Sequence, residues 1–195
     1  MRLFLGFPLP EGARAALDAA CAPLREAVNG RGASWVPAEN LHLTLRFLGE
    51  TDRRGIDSVT SRISSVVQGM LAPRLRLGGP GVFPSRGGRA LVFWAGLEGE
   101  LEPLKRLAGS LERCARRAGF PPERRAFRAH VTLARLRGPR GLELEGRVLP
   151  AFPAVDCTPR AVHLFQSVSG SRGVEYPTLR SWPFCPAPPP STLAE

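Results

Sequence analysis

Apolar and polar residues alternate with a period of two in two short stretches, Leu41-His42-Leu43-Thr44-Leu45 and His130-Val131-Thr132-Leu133. Successive side chains of an extended strand point to opposite faces. Each stretch therefore predicts a strand that turns leucine or valine toward a core and sets a histidine beside a threonine on the other face. The motif strands are expected over about residues 41–48 and 127–136, with further strands at about 3–9, 90–94, 161–168 and 176–184.

Between them the period becomes helical. Ala13, Leu17, Cys21 and Leu24 mark one apolar stripe, opened by Pro10-Glu11 and closed by Asn29-Gly30. Val59, Ile63 and Val67 mark a second, with Thr51 or Asp52 as its cap. Leu104, Ala108, Leu111 and Ala115 mark a third, stopped by Gly119 ahead of Pro121-Pro122. Turns or loops are read at Trp35-Val36-Pro37, at Gly78-Gly79-Pro80-Gly81 after an alternating Leu75-Arg76-Leu77, at Ser85-Arg86-Gly87-Gly88 and at Ser169-Gly170-Ser171. No Lys-Ser or Lys-Thr follows the glycines at 87–88, so a P-loop is unsupported.

The two motifs belong to a repeat. Leu3 precedes His42 by 39 positions, and Leu91 precedes His130 by 39, an offset of about 88 between halves. Each half runs strand, helix, Pro-containing loop, His-x-Thr strand; after the second motif no counterpart of the second helix is found and the halves diverge. The order predicts an α+β fold of two pseudo-symmetric lobes, antiparallel sheets lining a central cleft and helices on the outside. One bilobed domain is expected over 1–185, with a Pro-rich, disordered tail at 186–195.

Composition narrows the function. With 43% hydrophobic and 23% charged residues the chain is of the globular class. No apolar run approaches the about 20 residues that span a bilayer, and the opening strand, broken by Pro8 and followed by Glu11, Arg14 and Asp18, does not read as a signal peptide. A cytoplasmic protein without membrane contact is expected. Cys21, Cys114, Cys157 and Cys185 are scattered without zinc-site spacing, and reduced thiols are expected. The net charge is +10, and from Lys105 to Arg140 eleven basic residues face only Glu112 and Glu123. Nearly the whole excess surrounds the second motif, which points to a nucleic acid or nucleotide partner.

Two imidazoles across a cleft can share acid and base roles near neutral pH. Neighbouring threonine hydroxyls can donate to phosphate oxygens as their charge rises, and Arg135 can reach the phosphate if its strand bends or bulges. A 2′,3′-cyclic phosphate suits this chemistry because its strained ring opens without a metal. Zinc would need a third ligand, and neither motif strand carries Asp, Glu or Cys; His163, the only other histidine, is read as structural. Neither metal nor cofactor is expected.

The stretch Val36-Pro37-Ala38-Glu39-Asn40-Leu41-His42-Leu43-Thr44-Leu45-Arg46-Phe47-Leu48-Gly49-Glu50, taken with Phe127-Arg128-Ala129-His130-Val131-Thr132-Leu133-Ala134-Arg135, closely resembles the RNA 2′,3′-cyclic phosphodiesterases. These are also called the bacterial and archaeal 2′-5′ RNA ligases, of the two-histidine phosphoesterase superfamily. The resemblance continues to Tyr176-Pro177-Thr178-Leu179 and Trp182. It implies metal-free hydrolysis of RNA 2′,3′-cyclic phosphate ends to 2′-phosphomonoesters. It implies His42 as proton donor, His130 as proton acceptor, Thr44 and Thr132 on the phosphate, and Phe47 and Arg135 as base or phosphate contacts. Ala129 stands where members commonly carry proline, which loosens the backbone before His130. Reversible 2′-5′ ligation of tRNA halves and non-catalytic binding of RNA ends remain alternatives, and a monomer is expected.

Overall fold

The alternating leucines and phenylalanines join the strands of a computed structural model that describes residues 1–28, 33–84, 90–136, 149–171 and 173–185. In chain order the elements are β1 (Arg2–Pro8), α1 (Glu11–Val28), β2 (Ala33–Trp35), a 3-10 turn (Ala38–Asn40), β3 (His42–Glu50), α2 (Arg53–Val67), β4 (Leu75–Pro84), β5 (Ala90–Gly99), α3 (Leu101–Arg117), β6 (His130–Leu136), β7 (Ala161–Gly170), β8 (Gly173–Glu175) and β9 (Thr178–Pro183). They form one sheet in the order β4-β5-β6-β3-β1-β7-β8, with β2 added to β6 and β9 to β7. The antiparallel α+β class is as the pattern predicts, but the strands expected in two sheets share one. The motif strands β3 and β6 are neighbours at its centre, joined where Leu43 pairs with Val131.

The strand order is balanced about that pair, with β5 and β4 on one side and β1 and β7 on the other. β1, α1 and β3 correspond to β5, α3 and β6 at the 88-residue offset. The correspondence also extends past the second motif, where the sequence suggests divergence. β4 follows the first half yet pairs with β5, while β7 follows the second half and pairs with β1. Each half thus completes its sheet with a strand from the other.

The helices cover one face. The buried stripes of α1, α2 and α3 share a single core with Leu43, Leu45, Val131 and Leu133. Asp52 caps α2 by accepting from the Gly55 amide at 2.8 Å. Gly119, at φ +92°, turns the chain out of α3. Cys21 and Cys114 are buried free thiols.

Both motif strands slip by one residue at the same place. On β3, Leu45 and Arg46 are both buried and Phe47 is exposed; the β1 register passes from Gly6–Thr44 to Leu5–Arg46, leaving Leu45 unpaired in count. On β6, Leu133 and Ala134 are both buried and Arg135 is exposed; the β5 register passes from Trp94–Thr132 to Phe93–Ala134, leaving Leu133 over. Such bulges re-aim every side chain beyond them. Here they return Phe47 and Arg135 to the face that carries the histidines and threonines. On β3 the slip also sends Arg46 into the helix layer, where it pairs with Glu112 of α3 and donates to the carbonyls of Phe47 and Pro121.

Some elements differ from the sequence reading. Gly78-Gly79-Pro80-Gly81, read as a turn, lies inside β4, with the register slip between Leu77 and Pro80 absorbing it. A side chain at Gly81 would collide with the Trp94 ring, so glycine here serves cross-strand packing. Trp35, read as loop, ends β2, a short strand held on β6. Residues 127–129 precede β6 rather than belonging to it, Tyr176 and Pro177 precede β9, and Phe184 follows it. Ser169 and Gly170, read as a turn, still pair with Val174 and Gly173. The stop at Asn29-Gly30, the turn at 85–88 and the tail at 186–195 lie outside the described residues.

Removing the partner of Arg46 leaves a buried guanidinium under-compensated, which costs about 3–5 kcal/mol for a fully buried pair. Because the Glu112 side chain is 24% exposed, Glu112→Ala is expected to lower unfolding stability by about 2–3 kcal/mol, read by urea denaturation. A loss within about 0.5 kcal/mol, the ordinary surface range, would contradict this role.

Candidate active site

The register at Leu43 and Val131 determines what the open face presents. Both residues are fully buried toward the helices, so His42, Thr44, His130 and Thr132 face the other way. Continuing the antiparallel pairing sets His42 across from Thr132 and Thr44 across from His130. The two motifs, 88 residues apart in the chain, converge on one patch.

Each imidazole is oriented by the same device. His42 Nδ1 lies 2.6 Å from the Asn40 carbonyl oxygen, and His130 Nδ1 lies 2.7 Å from that of Arg128. A carbonyl only accepts, so each Nδ1 carries a proton and donates it. Nε2 is thereby left as the acceptor in the neutral ring and as the transferable N–H in the charged one. Asn40 and Arg128 are again 88 residues apart, and the side-chain amide of Asn40 donates to the Val174 carbonyl at 2.6 Å, fastening β8 beside the first motif.

Burial pushes both histidines below their ordinary pKa, against the raising effect of the carbonyl hydrogen bonds. The guanidinium of Arg135 lowers both further. His130 also depresses His42, while Arg128 depresses His130. Arg135 therefore acts on the two imidazoles at once, as its place past the Leu133 bulge allows. Phe47 holds the equivalent position on β3 and is 49% exposed, with its ring 5.9 Å from that of Phe4.

Aromatic rings flank the pair. Phe4 and Tyr176 each lie 4.8 Å from His42, centroid to centroid, with Phe165 at 6.2 Å. Phe83 lies 4.8 Å and Trp94 6.2 Å from His130. Beside His130 opens a pocket of about 280 Å³, walled by Phe83, Trp94 and Phe127, with Lys105 and Arg128 among its lining. His163 shares the open face on β7 but is separated from His42 by the Phe165 ring, on which it stacks at 5.5 Å. Its Nδ1 is buried with no hydrogen-bond partner among the described residues, and burial lowers its pKa. Among the described residues no group of three or more His, Cys, Asp or Glu side chains is placed to hold a metal ion.

All six residues singled out in the sequence thus fall on one face. Sequence reasoning missed Phe4, Tyr176, Phe83 and Trp94. β1 is buried on both faces, and such a strand shows no alternation to reveal which ring points at the site. Tyr176 is the only tyrosine of the chain, a signal that its position within the resembling segment made available.

Known proteins resemble this chain in sequence and in fold. The family described as LigT-like phosphoesterase matches residues 7–94 and 97–176. A protein of Aeropyrum pernix named RNA 2′,3′-cyclic phosphodiesterase is 35% identical over 147 residues, 74% of this chain and 82% of its own. One of the same name from Thermus thermophilus is 32% identical over 192 residues, 93% of this chain and 89% of its own. Among solved structures, TT0787 of Thermus thermophilus superposes with a TM-score of 0.78 at 32% identity, covering 94% of this chain and 98% of that one. E. coli LigT in its apo form gives 0.71 at 25%, covering 94% and 96%. Among the described residues no helix is long and apolar enough to cross a membrane.

The shared influence of Arg135 can be read directly. In the native protein both imidazoles are expected to titrate below about 6.5, and Arg135→Gln is expected to raise both midpoints, followed by NMR of the ring protons. A rise in one only, or in neither, would show that the guanidinium does not sit between them.

Proposed function

The chain belongs to the LigT-like phosphoesterases, and on that premise we propose that it hydrolyses RNA 2′,3′-cyclic phosphate ends to 2′-phosphomonoesters with a two-histidine acid/base pair and no metal. The observation that carries this reading is the duplicated Nδ1–carbonyl bond, which leaves two Nε2 atoms free on adjacent strands.

The two rings are not equivalent, and their surroundings support His130 as base and His42 as acid. The Arg128 charge acts on His130 and favours its neutral, proton-accepting form. Phe4 lies against His42 at an interplanar angle of 32°, presenting much of its π face, a contact that partly offsets the burial disfavouring the charged ring. Phe83 meets His130 at 85° instead.

The reaction then runs in one displacement. His130 Nε2 takes a proton from water as the water oxygen bonds to phosphorus. The bond from phosphorus to the 3′ oxygen breaks, and His42 Nε2–H protonates that oxygen. A 2′-phosphate and a free 3′-hydroxyl result. The hydroxyls of Thr44 and Thr132 donate to the non-bridging oxygens as their negative charge grows, and Arg135 offsets that charge. Phe47 offers its exposed ring to the terminal base.

His42→Ala and His130→Ala are each expected to lower kcat/KM on a 2′,3′-cyclic mononucleotide by about 10²–10⁴ with unchanged far-UV circular dichroism. Near-native turnover in either would remove the mechanism. Because both pKa values are depressed, the bell of kcat/KM against pH is expected to peak below about 6.5. Its rising limb reports the base losing a proton and its falling limb the acid losing one. Residual activity of His42→Ala is therefore expected to keep the rising limb only, and that of His130→Ala the falling limb only; the opposite pattern would exchange the two roles.

A further inference from the structure

The pocket beside His130 is larger than the chemistry requires. A water molecule occupies about 30 Å³, whereas the pocket measures about 280 Å³. That is near the lower bound of about 300–1,000 Å³ for small-molecule pockets, room for one nucleobase rather than two. Its walls are flat rings, Phe83, Trp94 and Phe127. Phe83 already carries the Arg128 guanidinium over its face at 5.6 Å. Trp94 presents its indole ring to the pocket while its six-membered ring packs over Gly81 of the neighbouring strand, so the wall is held rigidly.

Charge is distributed unevenly about the two histidines. On the His42 flank, the charged residues adjoining Asn40 and Tyr176 are Glu39 and Glu175, both exposed. On the His130 flank, Lys105 and Arg128 line the pocket, and exposed Arg124 and Arg125 follow on the segment that leads into β6. The acids on this flank are already engaged. Glu112 holds the buried Arg46, Glu123 accepts from the Arg125 amide at 3.1 Å, and Glu102 pairs with Lys105 at 2.6 Å on the surface. That last pair is exposed and therefore weak, so a phosphate can take over the ammonium. Basic side chains placed to meet a polyanion thus line the His130 flank.

We infer that the pocket is a subsite for the nucleotide immediately 5′ to the cyclic end. Its base stacks among Phe83, Trp94 and Phe127, and the phosphate linking it to the terminal nucleoside meets Lys105 and Arg128. The uncharged terminal base is left to the aromatic flank of the central patch, and the RNA body leaves over α3 and residues 118–129. This rests on the phosphodiesterase reading and adds a length preference: the protein acts on RNA ends in preference to mononucleotides.

The test compares kcat/KM for a 2′,3′-cyclic mononucleotide and for a trinucleotide ending in the same cyclic phosphate. The native protein is expected to favour the trinucleotide by tenfold or more. Lys105→Glu, a surface change, is expected to remove most of that advantage while mononucleotide turnover stays within about twofold, and to flatten the salt dependence of the trinucleotide KM by roughly one phosphate contact. Phe127→Ala is expected to reduce the same ratio without altering the salt slope. Equal kcat/KM for the two substrates in the native protein, or an equal loss on both in Lys105→Glu, overturns the subsite. So does a ratio that Lys105→Glu leaves intact, or one that added 5′-hydroxyl nucleoside alters through a joined product, which would make the pocket an acceptor site.

Binding of a 5′-fluorescein trinucleotide bearing a 2′-phosphate, followed by anisotropy, separates the two readings. If neither cyclic substrate is hydrolysed but Lys105→Glu weakens this binding tenfold, the hydrolytic reading fails and the subsite stands. Unchanged binding removes the subsite whatever the turnover.

Discussion

The pairing of Leu43 with Val131 is the constraint on which the rest depends. A strand has a side-chain period of two, so a slip of one residue on either strand would turn its histidine and threonine into the helix layer and its leucine or valine into solvent. Burying two apolar residues completely at that point therefore also enforces the polar face. Hydrophobic burial, which has no catalytic content of its own, selects the only register in which the two motifs share a surface.

Around that point the fold uses symmetry with local departures. Equivalent bulges at Leu45 and Leu133 bring equivalent positions back to the site, but one holds Phe47 and the other Arg135. Equivalent carbonyls, of Asn40 and Arg128, hold the two imidazoles in the same tautomer, yet only Arg128 adds a positive side chain next to its histidine. The residue after each bulge is Arg46 on β3 and Ala134 on β6, so only one half is tied to α3 by an ion pair. In the proposed reaction a scaffold of like halves sets two like groups about one phosphorus atom, and the substitutions between halves would give them unlike tasks. The exchange of β4 and β7 between halves makes the two halves mutually dependent.

Much of this was legible in the chain. The His-x-Thr strands announced themselves by alternation, and the stripes of α1, α2 and α3 by their helical spacing, because burial on one side only leaves a periodic trace. What left no trace was tertiary. Which strand β4 or β7 would join is decided by partners far away in sequence. Gly78 to Gly81 carries turn residues, and only the Trp94 ring across the ladder explains why glycine is needed within a strand. A bend or bulge is the condition for Arg135 to reach the site, and the doubly buried Leu133-Ala134 supplies it. Phe4 and Phe165 lie on strands that carry no His-x-Thr signal, and their proximity to His42 emerges only in three dimensions.

The central claim is that two oppositely placed imidazoles drive in-line opening of a cyclic phosphate with expulsion of the 3′ oxygen. Its most direct measurement is phosphorus NMR of the product formed from a 2′,3′-cyclic end in water enriched with heavy oxygen. The account predicts a 2′-phosphomonoester alone, with one heavy oxygen on each phosphorus. A 3′-phosphomonoester, a mixture of the two isomers, or an unconsumed substrate would contradict it.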